Sequence, residues 1–227
     1  KGAENRLLRQ ALEAIGCRIE EPRAGIPIFH VSGGGFCLSA QDETGRTISP
    51  GEITAILTLL AFDGGTHAVS LPRTAPAVID TAFYLGGFDG ELLRLGDGGK
   101  RARELYSSEP YFWDGIFAGV KICSYLNKSG NGLGSLYDKI PHFSTVSSQI
   151  SVENSRASVM RRLTAYCREM PTGFSGGLRI LTTGGFATVS PAGGTSALNI
   201  RAEAKNWEAA QELCSDFEKV IRRLDAE

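Results

Sequence analysis

The sequence predicts an α/β fold: α/β/α layers followed by a small C-terminal α+β domain with a four-stranded sheet. Three observations predict it. Short apolar strands alternate with amphipathic helices from residue 50 to residue 143, as in a sheet covered on both faces. Ser144 to Val152 alternates cleanly and opens a second run of strands bracketed by capped helices. Phe186 to Ala204 reads as strand, Gly-rich turn, strand. Its second strand sets Leu198, Ile200, Ala202 and Ala204 on one face and Asn199, Arg201 and Glu203 on the other.

Each element follows from local chemistry. Asn5 to Ile15 is an amphipathic helix ended by Gly16. Cys17 to Glu21, Ile26 to Val31 and Phe36 to Gln41 read as strands, and Glu43 to Arg46 as a turn. Ser49-Pro50-Gly51-Glu52 is a capping box with proline at the first helical position, opening a helix to about Phe62. Ala68 to Leu71 and Glu91 to Leu95 are strands, and Ala75 to Leu85 and Lys100 to Tyr106 are helices. Asp114 to Leu126 is a helix with Ile116, Val120, Cys123 and Leu126 in its buried stripe, alongside Phe117, and Leu133 to Ile140 is a shorter one. A boundary falls near Phe143. Beyond it, Asn154 caps a helix to about Cys167, and Leu178 to Thr183, Phe186 to Ser190 and Ala197 to Ala204 are strands. Asn206 caps a final helix that turns Trp207, Ala210, Leu213, Cys214, Phe217, Val220, Ile221 and Leu224 inward, completing a β-α-β-β-β-α order.

Composition narrows the function classes. The 227 residues suffice for two modest domains or one large one. A formal net charge of -1 implies no basic face, so nucleic acid is not an expected partner. No apolar run approaches the ~20 residues of a membrane span. Cys17, Cys37, Cys123, Cys167 and Cys214 are widely spaced without C-x-x-C, which favours reduced cytoplasmic thiols over disulfides or zinc. No signal peptide is visible, and Lys1 in place of Met leads us to expect that something upstream was removed.

The candidate site is Pro191-Ala192-Gly193-Gly194-Thr195-Ser196. Glycines expose backbone N–H groups, and Thr195 and Ser196 add hydroxyls, so the turn suits either a tight β-turn or a phosphate cradle. His30, His67 and His142 are scattered without metal-like or triad spacing. Gly33-Gly34-Gly35 precedes a strand rather than a helix, unlike a dinucleotide fingerprint. Tyr111-Phe112-Trp113 is an aromatic run suited to a core or staple.

Three motifs, in order, resemble the α-D-phosphohexomutase family (phosphoglucomutase/phosphomannomutase). They are Asp42-Glu43-Thr44-Gly45-Arg46 before a capped helix, Trp113-Asp114-Gly115-Ile116 at a helix start, and Pro191 and Gly193 followed by Glu203-Ala204 and a helix. The resemblance implies that residues 1–49 are a partial second domain, 50–143 a third α/β/α domain and 144–227 the C-terminal phosphate-loop domain. The first domain, which holds the family's phosphoserine, has no counterpart in these residues. Where the family places three aspartates and an arginine for its metal, this chain has Ser32, Gly34, Phe36 and Cys37. Its phosphate loop has Ser190 for Arg, Gly194 for Thr, Thr195 for Glu and Ala197 for Lys. The sugar loop is shortened, leaving Glu109 near its position, with Gly96 to Lys100 before the preceding helix.

The resemblance therefore implies no resident Mg²⁺ or other cofactor, no metal ligand and no catalytic residue among these positions. It implies phosphate binding by Gly193, Gly194, Thr195 and Ser196 with Arg201, and sugar contact by Glu109. The expected function is a mutase-like protein without mutase activity that binds a sugar phosphate weakly. The alternative is a share of a divergent active phosphohexomutase, an intramolecular phosphotransferase of carbohydrate metabolism, with its N-terminal portion elsewhere. A structural or oligomerisation module is a third reading. Expected partners are a sugar phosphate and either a second copy of the chain or that N-terminal portion.

Overall fold

The computed structural model describes residues 2–227 apart from 86–88, 97, 98, 171, 175 and 176, and apart from the side chains of 81, 84, 85 and 174. The chain divides into two compact units, Lys1–Pro141 and His142–Glu227.

In the first unit, α1 (Ala3–Ala14) is followed by the antiparallel strands β1 (Ile28–Ser32), β2 (Cys37–Gln41) and β3 (Thr47–Ile48). Helix α2 (Pro50–Asp63) carries the full capping box, with the Ser49 side chain accepting from the Glu52 N–H and Glu52 answering to the Ser49 N–H. It leads to β4 (Ala68–Leu71), α3 (Val78–Leu85) and β5 (Glu91–Arg94), and β4 pairs with β5 in parallel. Helices α4 (Gly99–Ser108), α5 (Gly115–Ser129) and α6 (Leu133–Tyr137) complete the unit. Val31, Leu38, Ile48, Ile56, Leu60, Val69, Leu71, Ile122 and Leu136 belong to one continuous core. The α1 face built on Leu8 and Leu12 joins it.

The second unit is a sheet with helices. Strands β6 (Ser144–Ser151), β7 (Thr172–Phe174), β8 (Leu178–Thr182), β9 (Gly185–Pro191) and β10 (Ala197–Ala204) lie in the order β6-β10-β9-β8-β7, every pair antiparallel. Helices α7 (Arg156–Tyr166) and α8 (Trp207–Ala226) supply Val159, Leu163, Cys214, Phe217 and Ile221 to a core shared with Leu178, Ile180, Val189, Leu198 and Ile200. Strand β10 is hydrogen-bonded on both sides, to β6 and to β9. The turn after β9 is therefore mounted on the middle of the sheet.

Four of the differences between the structure and the sequence reading have a plain physical or topological basis. Cys17 to Glu21 is not a strand: the Cys17 N–H turns back to the Leu12 carbonyl at 2.9 Å, and β1, β2 and β3 form their sheet without it. Helix α3 starts at Val78 rather than Ala75, because Pro76 disfavours helical backbone before it. The Arg94 guanidinium also takes the Ala75 and Pro76 carbonyls at 2.8 and 2.9 Å. Ser155, not Asn154, caps α7, since the Asn154 N–H and side-chain amide both go to Asp225. The C-terminal sheet holds a fifth strand, the three-residue β7, on its outer edge beside β8. In the folded chain Trp207, expected to turn inward on the final helix, is instead 58 % exposed.

Candidate functional site

The turn between β9 and β10 is a four-residue hairpin loop, Gly193 to Ser196, closed by the Ala192 N–H donating to the Ala197 carbonyl at 2.9 Å. Gly194 has φ +71°, a conformation that side-chain-bearing residues adopt at a cost. All four loop residues are exposed. Among the described residues, their N–H groups and the Thr195 and Ser196 hydroxyls make no hydrogen bond within the chain. The carbonyls flanking the loop are turned inward. The Val152 N–H donates to the Ser196 carbonyl at 2.9 Å, and Arg156 Nη1 donates to the Ala192 carbonyl. The loop thus keeps unused donors while the Ala192 and Ser196 carbonyls are taken, an arrangement suited to an anion.

Arg201 lies five residues past Ser196, roughly 17 Å along an extended strand at about 3.4 Å per residue. Its Nε sits 3.1 Å from Glu203 Oε1. Glu203 is only 4 % exposed although the alternation of β10 sets it on the outer face, so the Glu of the EA pair is buried beneath its arginine neighbour. Arg179 stands on β8 opposite Thr188, on the same sheet.

In the first unit, β1 and β2 pair in the register Ser32↔Cys37, which makes Gly33 to Phe36 a four-residue connection. Phe36 is 68 % exposed and Cys37 is exposed as well. The start of α5 is packed on this connection: a Cβ on Gly115 would lie 3.1 Å from the Gly35 and Cys37 carbonyl oxygens. Asp114, the nearby carboxylate in sequence, caps α5, its Oδ1 accepting from the Ile116 and Phe117 N–H groups at 2.8 and 3.1 Å. The residues of this connection do not fit the family's Mg²⁺. They offer one hydroxyl, three glycines, an aromatic ring and a soft thiol, where a hard octahedral cation requires carboxylate oxygens. Among the described residues, no three His, Cys, Asp or Glu side chains come together as a metal site.

Glu109 is half-buried, and its carboxylate accepts the Tyr111 hydroxyl; burial, with that bond adding, pushes the Tyr111 phenol up. Lys100 pairs with Glu104 at 3.4 Å and Arg101 with Glu91 at 2.7 Å, while Asp97 and Gly98 of the preceding loop lie outside the described residues. All five cysteines are free thiols, and burial pushes the Cys123 thiol up to about 12. Among the described residues, no helix is long and apolar enough to cross a membrane.

The Asp42-Glu43-Thr44-Gly45-Arg46 turn is structural. The buried Asp42 Oδ1 accepts from the Thr44 hydroxyl and from the Thr44 and Arg46 N–H groups, and Oδ2 takes Arg46 Nε at 2.6 Å. Glu43 accepts from the Leu133 and Gly134 N–H groups at 2.6 and 3.0 Å, tying the turn to α6. Sequence reasoning passed over Arg156. Its signal was a cation in the first turn of α7, where a helix prefers an acid.

No family model matches the chain. It is 25% identical over 206 residues to a Methanosarcina barkeri protein described as "Probable phosphoglucosamine mutase"; the match takes in 82% of this chain and 45% of that protein. Among solved structures, a phosphoglucomutase/phosphomannomutase family protein of Burkholderia thailandensis superposes with a TM-score of 0.66 at 16% identity, over 87% of this chain and 46% of that one. Aspergillus fumigatus N-acetylphosphoglucosamine mutase, solved with GlcNAc-6P and magnesium, superposes with a TM-score of 0.58 at 10% identity, over 91% of this chain and 50% of that one. The fold is thus that of the α-D-phosphohexomutases, with sequence similarity to a phosphoglucosamine mutase. The chain spans about half the length of these proteins.

Proposed function

We propose that this chain is a phosphohexomutase-like binder of sugar phosphates, which holds the phosphate of a hexose or hexosamine phosphate at Gly193 to Ser196 without Mg²⁺ and without phosphoryl transfer by its own residues. The observation that carries the reading is a set of four N–H groups and two hydroxyls without a partner among the described residues, on an exposed loop whose Ala192 and Ser196 carbonyls are already taken. Neutral donors hold a phosphate less tightly than a bidentate arginine does, so the binding is weak. Arg201 serves in this reading as a charge on the same strand. The absence of carboxylates between Ser32 and Cys37 supports metal-independent binding. The test is calorimetry with glucose 1-phosphate and glucosamine 6-phosphate, with and without Mg²⁺, with glucose as the control. Saturable heat for the phosphates that magnesium does not change is the expected result; equal behaviour of glucose and its phosphate refutes the reading.

A second reading is favoured by the coverage of 45% of the phosphoglucosamine mutase relative. In it, these residues act with a further portion, in the same or another chain, that supplies the phosphoserine and metal of an active mutase. A coupled assay for hexose-phosphate isomerisation with the longer protein separates the two: turnover favours this second reading.

A further inference from the structure

The resemblance leaves the phosphate loop without its family cation, because Ser190 stands in that place. We propose that Arg156, at the start of α7, supplies the guanidinium for this loop and completes an anion subsite from a different element of the fold. The inference rests on the anion reading of Gly193 to Ser196 given above.

Two independent features point to Arg156. The first is contact. Its Nη1 donates to the Ala192 carbonyl, so the guanidinium is anchored at the root of the loop, part-buried rather than swinging in solvent. One bond uses one of the five guanidinium donors, and the planar fork keeps the others for an anion. By holding the Ala192 carbonyl toward itself, Arg156 also keeps a partial negative charge out of the cradle. The segment leading into α7 is tied to the same loop a second time, through the Val152 N–H on the Ser196 carbonyl at 2.9 Å. Loop and helix start are therefore fixed to each other at both ends of the loop.

The second feature is an electrostatic misfit. Helix α7 runs for 11 residues, carries no acid in its first turn and opens on Arg156 itself. A cation there opposes the positive end of the helix dipole. A bound anion removes the conflict, since it is attracted at once by the guanidinium, by the helix start and by the loop N–H groups. Arg201, by contrast, lies along β10 with its Nε beside Glu203.

The test uses the full chain, isotope-labelled, with inorganic phosphate as probe and the backbone amides of Gly193, Gly194, Thr195 and Ser196 as reporters. In the unaltered protein these amides shift saturably. Arg156→Gln keeps a donor for the Ala192 carbonyl and removes the charge; it is expected to weaken phosphate binding roughly tenfold or more, with the spectrum of the rest of the sheet unchanged. Arg156→Lys restores part of the affinity. Unaltered affinity in Arg156→Gln overturns the role of Arg156 while leaving the loop as the anion site. Amides that never move with phosphate in the unaltered protein overturn the loop reading itself, and the present inference with it.

Discussion

Arg46 reaches Asp138 across 92 residues of chain, Nη1 to Oδ1 at 2.7 Å, while its Nε holds the buried Asp42 at 2.6 Å. One guanidinium therefore joins the turn after β2 to the residue that ends α6. Burial alone would raise the Asp42 carboxyl, but the hydrogen bonds from Thr44 and Arg46 outweigh it and hold the group at about 2. A folded value below the model-peptide 3.8 means that the contribution to stability is fully present above about pH 4 and is lost as pH falls through about 2. Its size is on the order of 2 kcal/mol. Asp42→Asn should cost about 2–4 kcal/mol at neutral pH and flatten the acid limb of the stability curve. Urea unfolding between pH 2.5 and 7 measures both, and an acid limb unchanged in the variant contradicts the assignment. Asp138→Ala, at an exposed partner, should cost less than about 1 kcal/mol.

Glu52 serves two elements. One oxygen completes the α2 capping box at the Ser49 N–H, and the other accepts the Tyr137 hydroxyl at 2.7 Å. Burial, aided by that acceptor, pushes the Tyr137 phenol up to about 12. Glu52→Ala should destabilise the chain by about 2 kcal/mol. It should also bring a tyrosine titration down in pH, visible in the ultraviolet difference spectrum; an unmoved titration would falsify the Glu52–Tyr137 bond.

Gly185 and Gly194 both have positive φ, but they predict different outcomes. A Cβ on Gly185 would sit 2.1 Å from the Glu203 carbonyl oxygen, at the end of the β9–β10 ladder where Gly185 pairs with Ala204. A Cβ on Gly194 meets nothing within 4 Å. Gly185→Ala should lose roughly 3 kcal/mol or more, whereas Gly194→Ala should lose about 1 kcal/mol, from backbone strain alone. Thermal unfolding of the pair ranks them, and a reversed order contradicts the hairpin geometry.

Asp225, near the end of α8, accepts from the Glu153 and Asn154 N–H groups at 2.8 and 2.9 Å. Burial acts to raise its carboxyl, yet these bonds leave it lowered. Its contribution is accordingly present above the ordinary carboxylate range and fades as pH drops below it. Asp225→Ala should cost about 1 kcal/mol and speed exchange at the Glu153 and Asn154 amides. Hydrogen exchange that leaves those two amides unaffected contradicts the tie.

How much of this was legible in the sequence depended on whether the deciding interaction was local. The α2 capping box needs only Ser49 and Glu52, three residues apart, and the β10 boundaries follow from strict alternation. The hairpin turn at Gly193 to Ser196 is legible because its glycines and hydroxyls are contiguous. Long-range contacts escaped. Asn154 looks like a cap until Asp225, 71 residues away, takes its amide. Ala75 looks helical until Arg94 claims its carbonyl. Arg156 carries no signature until α7 is folded beside the loop, 36 residues distant from Ala192 in the chain. Glu203 reads as an outward residue by period, and only the packed sheet reveals its burial.

The mounting of the hairpin on β10 has a kinetic consequence. A strand clasped on both edges is the last part of a sheet to loosen, so the turn it carries is a fixed mould rather than a closing flap. Association should then run in one step at a speed set by diffusion and ionic strength, with no slow isomerisation afterwards. Under the proposed anion reading, discrimination among phosphorylated sugars would reside in how quickly each one leaves.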